Sequence, residues 1–254
     1  MKNMQSGFEV LRDAFPEAPA MGPALSRVLM DQVAAGERGA TVRLSRPGRV
    51  VAFGRRDTTS PGYPEAVLAA RAQDFGAMER IAGGRAAAYS EGTLSMTMTF
   101  ADETPARRTN ERFEYAAGIA RGALADLGLD ARVGEVEGEY CPGAFSVNSG
   151  GRTKLVGIGQ RMIRGAAHVG FVIAVRDAAL IRRALEPVYA ALELEWNPAT
   201  VGAVEDELAG AGLEAVEAAL LERISASSRL IESRLDSGTV DAARSRVGSF
   251  LSPE

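Results

Sequence analysis

The 254-residue chain is predicted to fold as a mixed α/β layer protein, with mostly antiparallel and mixed central sheets flanked by helices. Three observations predict it. Residues 94–100 alternate apolar and polar, the signature of a half-buried strand. Three strand-like segments, 144–148, 153–163 and 167–175, follow one another across the short turns Ser149-Gly150-Gly151 and Arg164-Gly165, which reads as a meander of hairpins. Segments of helical period lie among the strands without βαβ regularity.

The elements follow in order. Met21, Leu25, Val28, Leu29 and Val33 recur at helical spacing and predict a helix over 20–35, closed by Gly36 and Gly39. Residues 41–45 alternate as a strand, Pro47-Gly48 turns, and 50–54 form a second strand. A short helix over 64–74 opens on a proline, which suits a first helical turn. Residues 77–81 predict a strand ending at Gly83-Gly84. Leu94, Met96, Met98 and Phe100 form one face of the period-2 strand, and a core face is the default for it. Residues 109–127 predict a long helix, with Phe113, Ala116, Ala117, Ala120 and Leu124 on one side. Beyond residue 177 the chain turns helical. Residues 208–235 predict one or two amphipathic helices, after a possible hinge at 186–200.

Composition removes several function classes. The net charge of −4 without like-charge runs argues against nucleic acid as a partner. No stretch is apolar for long enough to predict a membrane span, and the first ten residues lack a signal-peptide core. The single cysteine, Cys141, excludes an internal disulfide and fits a reducing cytoplasm. With one histidine, His168, a Cys/His metal cluster is excluded, and no metal ligands are expected.

Lysine is nearly absent: two stand against 27 arginines. Lys2 is terminal. Lys154 sits in Gly151-Arg152-Thr153-Lys154-Leu155-Val156-Gly157-Ile158-Gly159-Gln160-Arg161. A compact ammonium with a tunable pKa cannot be mimicked by guanidinium, so Lys154 is a candidate catalytic residue. Gly157 and Gly159 leave one strand face bare, where a flat ligand or another backbone can lie. Alternation puts Lys154 with Val156 and Ile158 on the face opposite those glycines, unless a bulge intervenes. In Arg80-Ile81-Ala82-Gly83-Gly84-Arg85-Ala86 the glycine pair can hold a carboxylate or phosphate on backbone N–H groups, with Arg80 and Arg85 adding charge; a plain turn explains the glycines equally well. Cys141, within Glu139-Tyr140-Cys141-Pro142-Gly143, lies on a turn. Near Lys154 or an arginine its thiol becomes a usable nucleophile; an inert buried cysteine is the alternative. His168 reads first as a satisfied core or edge histidine, with a general-base role as the alternative. Arg55-Arg56 can guide an anion or simply be solvated.

Together, Val51-Ala52-Phe53-Gly54-Arg55, Arg80 to Ala86 and Gly151 to Arg161 resemble the biotin/lipoate protein ligase superfamily, in its lipoate–protein ligase and octanoyltransferase branch. The resemblance covers roughly residues 20–205. It implies a class II synthetase-like catalytic fold over 1–200 and a helical C-terminal appendage over 201–254, packed on the same domain. It implies lipoate or octanoate as the acyl group, with Lys154 at the acyl carbonyl and Gly157, Ile158, Gly159 and Gln160 lining the acyl tunnel. Arg55, Arg80, Gly83, Gly84, Arg85 and Ala86 complete the implied binding set. Tyr140-Cys141-Pro142-Gly143 resembles the nucleophile segment of the amidotransferase subgroup, which implies acyl transfer to a lysine of a lipoyl-domain E2 subunit or a glycine-cleavage H protein. The departures are specific. Arg85 and Glu79 stand where ligases carry a further glycine and arginine; Tyr89 replaces a histidine; Ser146-Val147-Asn148 replaces an Asn-Asp pair. They weigh against the alternative, ATP- and Mg-dependent ligation through an acyl adenylate. A non-catalytic acyl- or nucleotide-binding protein is the third reading.

Overall fold

The computed structural model describes residues 7–13 and 15–253; Lys2 lies outside them. The strands are β1 (Gly7–Leu11), β2 (Thr41–Ser45), β3 (Val50–Phe53), β4 (Gly76–Glu79), β5 (Ala87–Tyr89), β6 (Thr93–Asp102), β7 (Ala131–Val133), β8 (Val147–Ser149), β9 (Thr153–Ile163), β10 (Gly165–Ala174) and β11 (Arg229–Glu232). The helices are α1 (Met21–Ala35), α2 (Arg55–Thr58), α3 (Tyr63–Arg71), α4 (Thr109–Asp126), α5 (Ala178–Ala191), α6 (Val204–Glu207), α7 (Leu213–Ser225) and α8 (Ser237–Arg244).

An eight-stranded sheet runs β11-β1-β2-β6-β10-β9-β8-β7, and a three-stranded sheet runs β4-β3-β5. The hairpin meander is present as β8-β9-β10, antiparallel throughout. One face of the large sheet is core. Leu94, Met96, Met98 and Phe100 from β6 and Val169, Phe171 and Ile173 from β10 are buried with the apolar sides of α4 and α7. This is the face the period-2 pattern marks. α1, closed at Gly36 in a left-handed cap, packs on part of the opposite face, against β6 and β10. The small sheet buries Val50, Val51, Ala52 and Phe53 against α3 and α5.

The registers place three rows of residues on the second face of the large sheet. They are Ser45–Ser95–Val172–Gly157, Arg43–Thr97–Gly170–Gly159 and Thr41–Thr99–His168–Arg161, each crossing β2, β6, β10 and β9. A β-bulge interrupts β9. Asn148 pairs with Lys154 and Val147 with Val156, so Leu155 has no opposite number. Leu155 and Val156 both enter the core, and Lys154 is switched to the side of Gly157. A bulge reverses side-chain parity, so the alternation that sets Lys154 opposite the glycines fails here.

Other elements differ from expectation. The strand at 50–54 stops at Phe53, and Gly54 starts the short α2. The strand expected over 144–148 is confined to Val147–Ser149, and residues 141–146 form a loop. The all-helical expectation for 208–235 is corrected by β11, which pairs in parallel with β1. Pro187 lies inside α5 and marks no break. No helix among the described residues is long and apolar enough to cross a membrane.

Candidate active site

A cavity of about 460 Å³ opens between the second face of the large sheet, the Arg80–Gly84 loop and the 140–146 loop. Lys154, Cys141, Arg80, Gly83, Gly84, Gly157, Ile158, Gly159 and Gln160 all line it. Residues far apart in sequence therefore share one space.

Lys154 is only 1% exposed. Its ammonium has three hydrogens, and all have acceptors: Glu139 Oε1 at 2.8 Å, the Tyr140 carbonyl at 3.0 Å and the Cys141 carbonyl at 2.7 Å. The Tyr140 ring lies 4.9 Å from Nζ. Glu139 is the hub of the loop. It is 3% exposed and also accepts from Ser146 Oγ at 2.6 Å, Gly143 N–H at 3.2 Å and Val136 N–H at 3.0 Å. Such a buried pair is tolerated because both ions are fully hydrogen-bonded.

The loop holds Cys141 at φ +44°, a conformation unusual without glycine. Its N–H donates to Tyr189 Oη at 2.7 Å, and the tyrosine hydroxyl donates to the Ala86 carbonyl at 2.9 Å. Local strain survives only where its surroundings over-determine it; Lys154 and Tyr189 do so here. The thiol accepts from the Arg85 N–H at 3.2 Å and from Arg80 Nη2 at 3.4 Å. Burial pushes the Cys141 pKa up, but the Arg80 and Lys154 charges and these hydrogen bonds pull harder, so it falls below the ordinary thiol value. Arg80 responds in kind. Burial lowers it, while Cys141 and Tyr89 raise it further, so it stays charged.

Gly84 is required by close approach. A Cβ there would lie 2.7 Å from Cys141 Sγ and 2.6 Å from Arg80 Nη2, on a backbone at φ +102°. Over the strand floor, a Cβ on Gly159 would lie 2.9 Å from Ala82 Cβ. The bare strand face is thus covered by the glycine loop near Gly159, and Gly157 beside Lys154 keeps the slot open.

The remaining candidates separate. Arg85 offers its backbone N–H to the thiol, while its side chain turns away to Asp57 Oδ1 at 3.3 Å. Ala86 is buried and contributes its carbonyl to Tyr189. Gln160 borders the cavity, but its amide accepts from Arg112 Nε at 2.9 Å and donates to the Thr109 carbonyl at 3.0 Å. Arg55 lines a neighbouring cavity of about 700 Å³ with Arg27, Arg161 and Arg246, touching the first only through the shared Arg80 and Ile81. His168 is 3% exposed, bonded through Nδ1 to Thr99 Oγ1 at 2.9 Å. Burial and then the Arg43 charge drive its pKa down to about 3, so it is a neutral cavity-wall residue. Among the described residues, no three His, Cys, Asp or Glu side chains are grouped to hold a metal ion. Sequence reasoning assigned no role to Glu139, Tyr189 or Arg43. Glu139 had a signal, an acid two residues before the candidate thiol. Tyr189, 48 residues further on, had none.

The fold is that of the lipoate–protein ligases. A lipoate-protein ligase A bound with ATP superposes with a TM-score of 0.78 at 19% identity, over 95% of this chain and 94% of that one. A T. acidophilum protein with bound lipoic acid gives 0.77 at 18% identity, over 96% and 95%. Within that class, the chain belongs to the lipoyl protein ligase A/B catalytic domain family, whose model matches residues 18–225. Among curated relatives, it is 30% identical over 168 residues to the octanoyl-[GcvH]:protein N-octanoyltransferase of Geobacillus kaustophilus (strain HTA426), covering 64% of this chain and 59% of the relative. It is 26% identical over 145 residues to the lipoyl-[GcvH]:protein N-lipoyltransferase of Listeria monocytogenes, covering 57% and 52%. The chain therefore matches between about half and three fifths of the length of these relatives.

Proposed function

We propose that this protein is an acyltransferase that moves an octanoyl or lipoyl group from one carrier protein to a lysine of another through a thioester on Cys141. The observation that carries the reading is the thiol, its pKa lowered beside Arg80 and Lys154 on a strained, over-held loop at the cavity wall. The names of the relatives point to a glycine-cleavage H protein as donor and, by the resemblance, to lipoyl domains of E2 subunits as acceptors. A cytoplasmic location keeps the thiol reduced.

The steps balance without a nucleotide. The Cys141 thiolate attacks the carbonyl carbon of the acyl-lysine amide. The C–S bond forms, the C–N bond breaks, and the departing amine takes a proton. The acceptor's neutral lysine amine then attacks the thioester; the C–N bond forms, the C–S bond breaks, and the amine proton passes to solvent. Lys154 fastens the nucleophile loop with all three of its N–H groups and, with Arg80, supplies the charge that favours the thiolate. The apolar part of the cavity holds the chain, at about 0.8 kcal/mol per buried CH₂.

ATP-dependent ligation is the second reading. It is favoured by the fold shared with an ATP-bound ligase and by the arginines of the neighbouring cavity. Mg²⁺ in such a ligase would be carried mainly by the phosphates of ATP, and among the described residues no three His, Cys, Asp or Glu side chains are grouped to hold it.

Intact mass separates the readings. One tube holds octanoyl-H protein, an apo lipoyl domain and no ATP; the other holds octanoate, Mg-ATP and the same apo domain. Acylation in the first tube, abolished by Cys141→Ser and accompanied in wild type by a thioester-sized mass gain, is expected. Product only in the second would replace the transferase with a ligase; product in neither leaves a binding protein.

A further inference from the structure

The far end of the cavity is built differently from the end that holds Cys141. Arg43, on β2, is 4% exposed and lines the same cavity. Its Nη2 donates to the Gly22 carbonyl at 3.3 Å, whereas Nε and Nη1 have no acceptor among the described residues. Asp13 also borders the cavity, and its buried Oδ2 has no donor among the described residues. Arg43, Thr97, Gly170 and Gly159 form one row across four strands. Three strand spacings separate the ends of that row, about 14 Å. Thus the cavity runs from the thiol, over small residues, to a buried guanidinium. Ser45, Ser95 and Thr97 turn their hydroxyl-bearing positions to the same floor.

Hydrogen-bonding capacity decides what fits there. Burial lowers Arg43 to about 10, which the nearby Asp13 only partly offsets, so it remains a cation near neutrality, while His168 is neutral. Arg43 offers two open donors and Asp13 an open acceptor. A carboxylate would accept from Arg43 but would bring no proton for the Asp13 oxygen. A bare methyl end would face open donors and an open acceptor, and displacing their hydration without replacing its hydrogen bonds loses affinity. A hydroxyl both accepts and donates.

We propose that the Arg43–Asp13 end of the cavity recognises a neutral hydroxyl-like group at the distal end of the acyl chain. The preferred acyl group is therefore an ω-oxygenated chain rather than a plain octanoyl chain. This rests on the transferase reading only for the end of the chain that meets Cys141.

Calorimetry with the intact protein tests the site without turnover, using ω-hydroxyoctanoate, octanoate and octanedioate. The hydroxy acid is expected to bind tighter than octanoate on the order of a hundredfold, as sites built for a hydroxyl do. Arg43→Met should erase that preference with little change in melting temperature, since the guanidinium makes a single hydrogen bond, to the Gly22 carbonyl, and leaves Nε and Nη1 open. Asp13→Ala, which lies at a less buried position, should weaken the preference on the order of tenfold and serves if Arg43→Met does not fold. Equal or tighter binding of octanoate overturns the proposal, as does tightest binding of octanedioate. Transfer from ω-hydroxyoctanoyl and octanoyl carriers then keeps the two claims apart. A binding preference without any transfer sinks the transferase reading alone. Transfer without any preference sinks the recognition site alone.

Discussion

The lowered pKa of Cys141 comes from neighbours that arrive on other segments. Arg80 lies 61 residues before it and Lys154 13 after it. Both favour the thiolate, the charged form, so the folded-state pKa is depressed and the thiolate persists to lower pH than in a free thiol. Replacing Arg80 by Met removes the larger of the two favouring charges. The pH midpoint for alkylation of Cys141 by iodoacetamide is then expected to rise, and the rate at neutral pH to fall on the order of tenfold. An unchanged midpoint would mean that Arg80 does not tune the thiol. Gly84→Ala tests the contact from the other side. Its Cβ meets both the thiol and the guanidinium at under 3 Å, on a backbone that disfavours any side chain. The expected result is at least tenfold lower transfer with a stability loss of about 1–3 kcal/mol, read by urea unfolding.

At the scale of elements, periodicity carried far and then stopped. Met96 and Met98 announced their strand because one face of β6 is core and the other is not. β5 and β7 are three residues each, too short for a period to register. Lys154 was visible as a singular residue, but its facing depended on the Leu155 bulge, which is a property of the pairing with β8. The Gln160 position was legible as part of a motif; its engagement with α4 was not, because Arg112 comes from a different element. That engagement forms a brace. Arg112 is fully buried, pairs with Asp102 at 2.9 Å, and joins β6, β9 and α4. Asp102→Ala leaves the guanidinium buried without its counter-ion and is expected to cost about 3–5 kcal/mol. For a chain of this size that lowers the melting temperature by roughly 10 °C. Adding Arg112→Met should restore most of it, because an apolar replacement removes the stranded charge. A double variant no more stable than the single would show that the brace acts through something other than that charge.

Across the whole molecule, the segment after residue 200 is interlaced with what precedes it. Gly202 N–H donates to the Lys154 carbonyl at 3.2 Å, and Val201 bridges Lys154 in parallel, so the strand carrying the ammonium has its partner from beyond α5. α7 packs on α4, and α8 packs on α1. β11 adds to the edge of β1 through residues Gly7 to Val10, and near the C-terminus Ser252 Oγ lies 2.9 Å from Tyr63 Oη. A sheet edge stripped of its neighbour presents unpaired N–H and C=O groups and invites aggregation. In this chain Phe8 and Val10 lie beneath that edge, both buried in the core shared with α7. A chain ended at residue 200 loses all of these contacts and the Lys154 partner, so it is expected to yield no soluble, cooperatively unfolding protein. Ending it at residue 226 retains α7 and Val201 but removes β11 and α8. That version is expected to keep the Lys154–Cys141 geometry, to unfold at lower urea concentration, and to self-associate through β1. Urea titration and light scattering read these two effects separately. A version ended at 200 that folds and stays monomeric would instead make the tail a separable appendage.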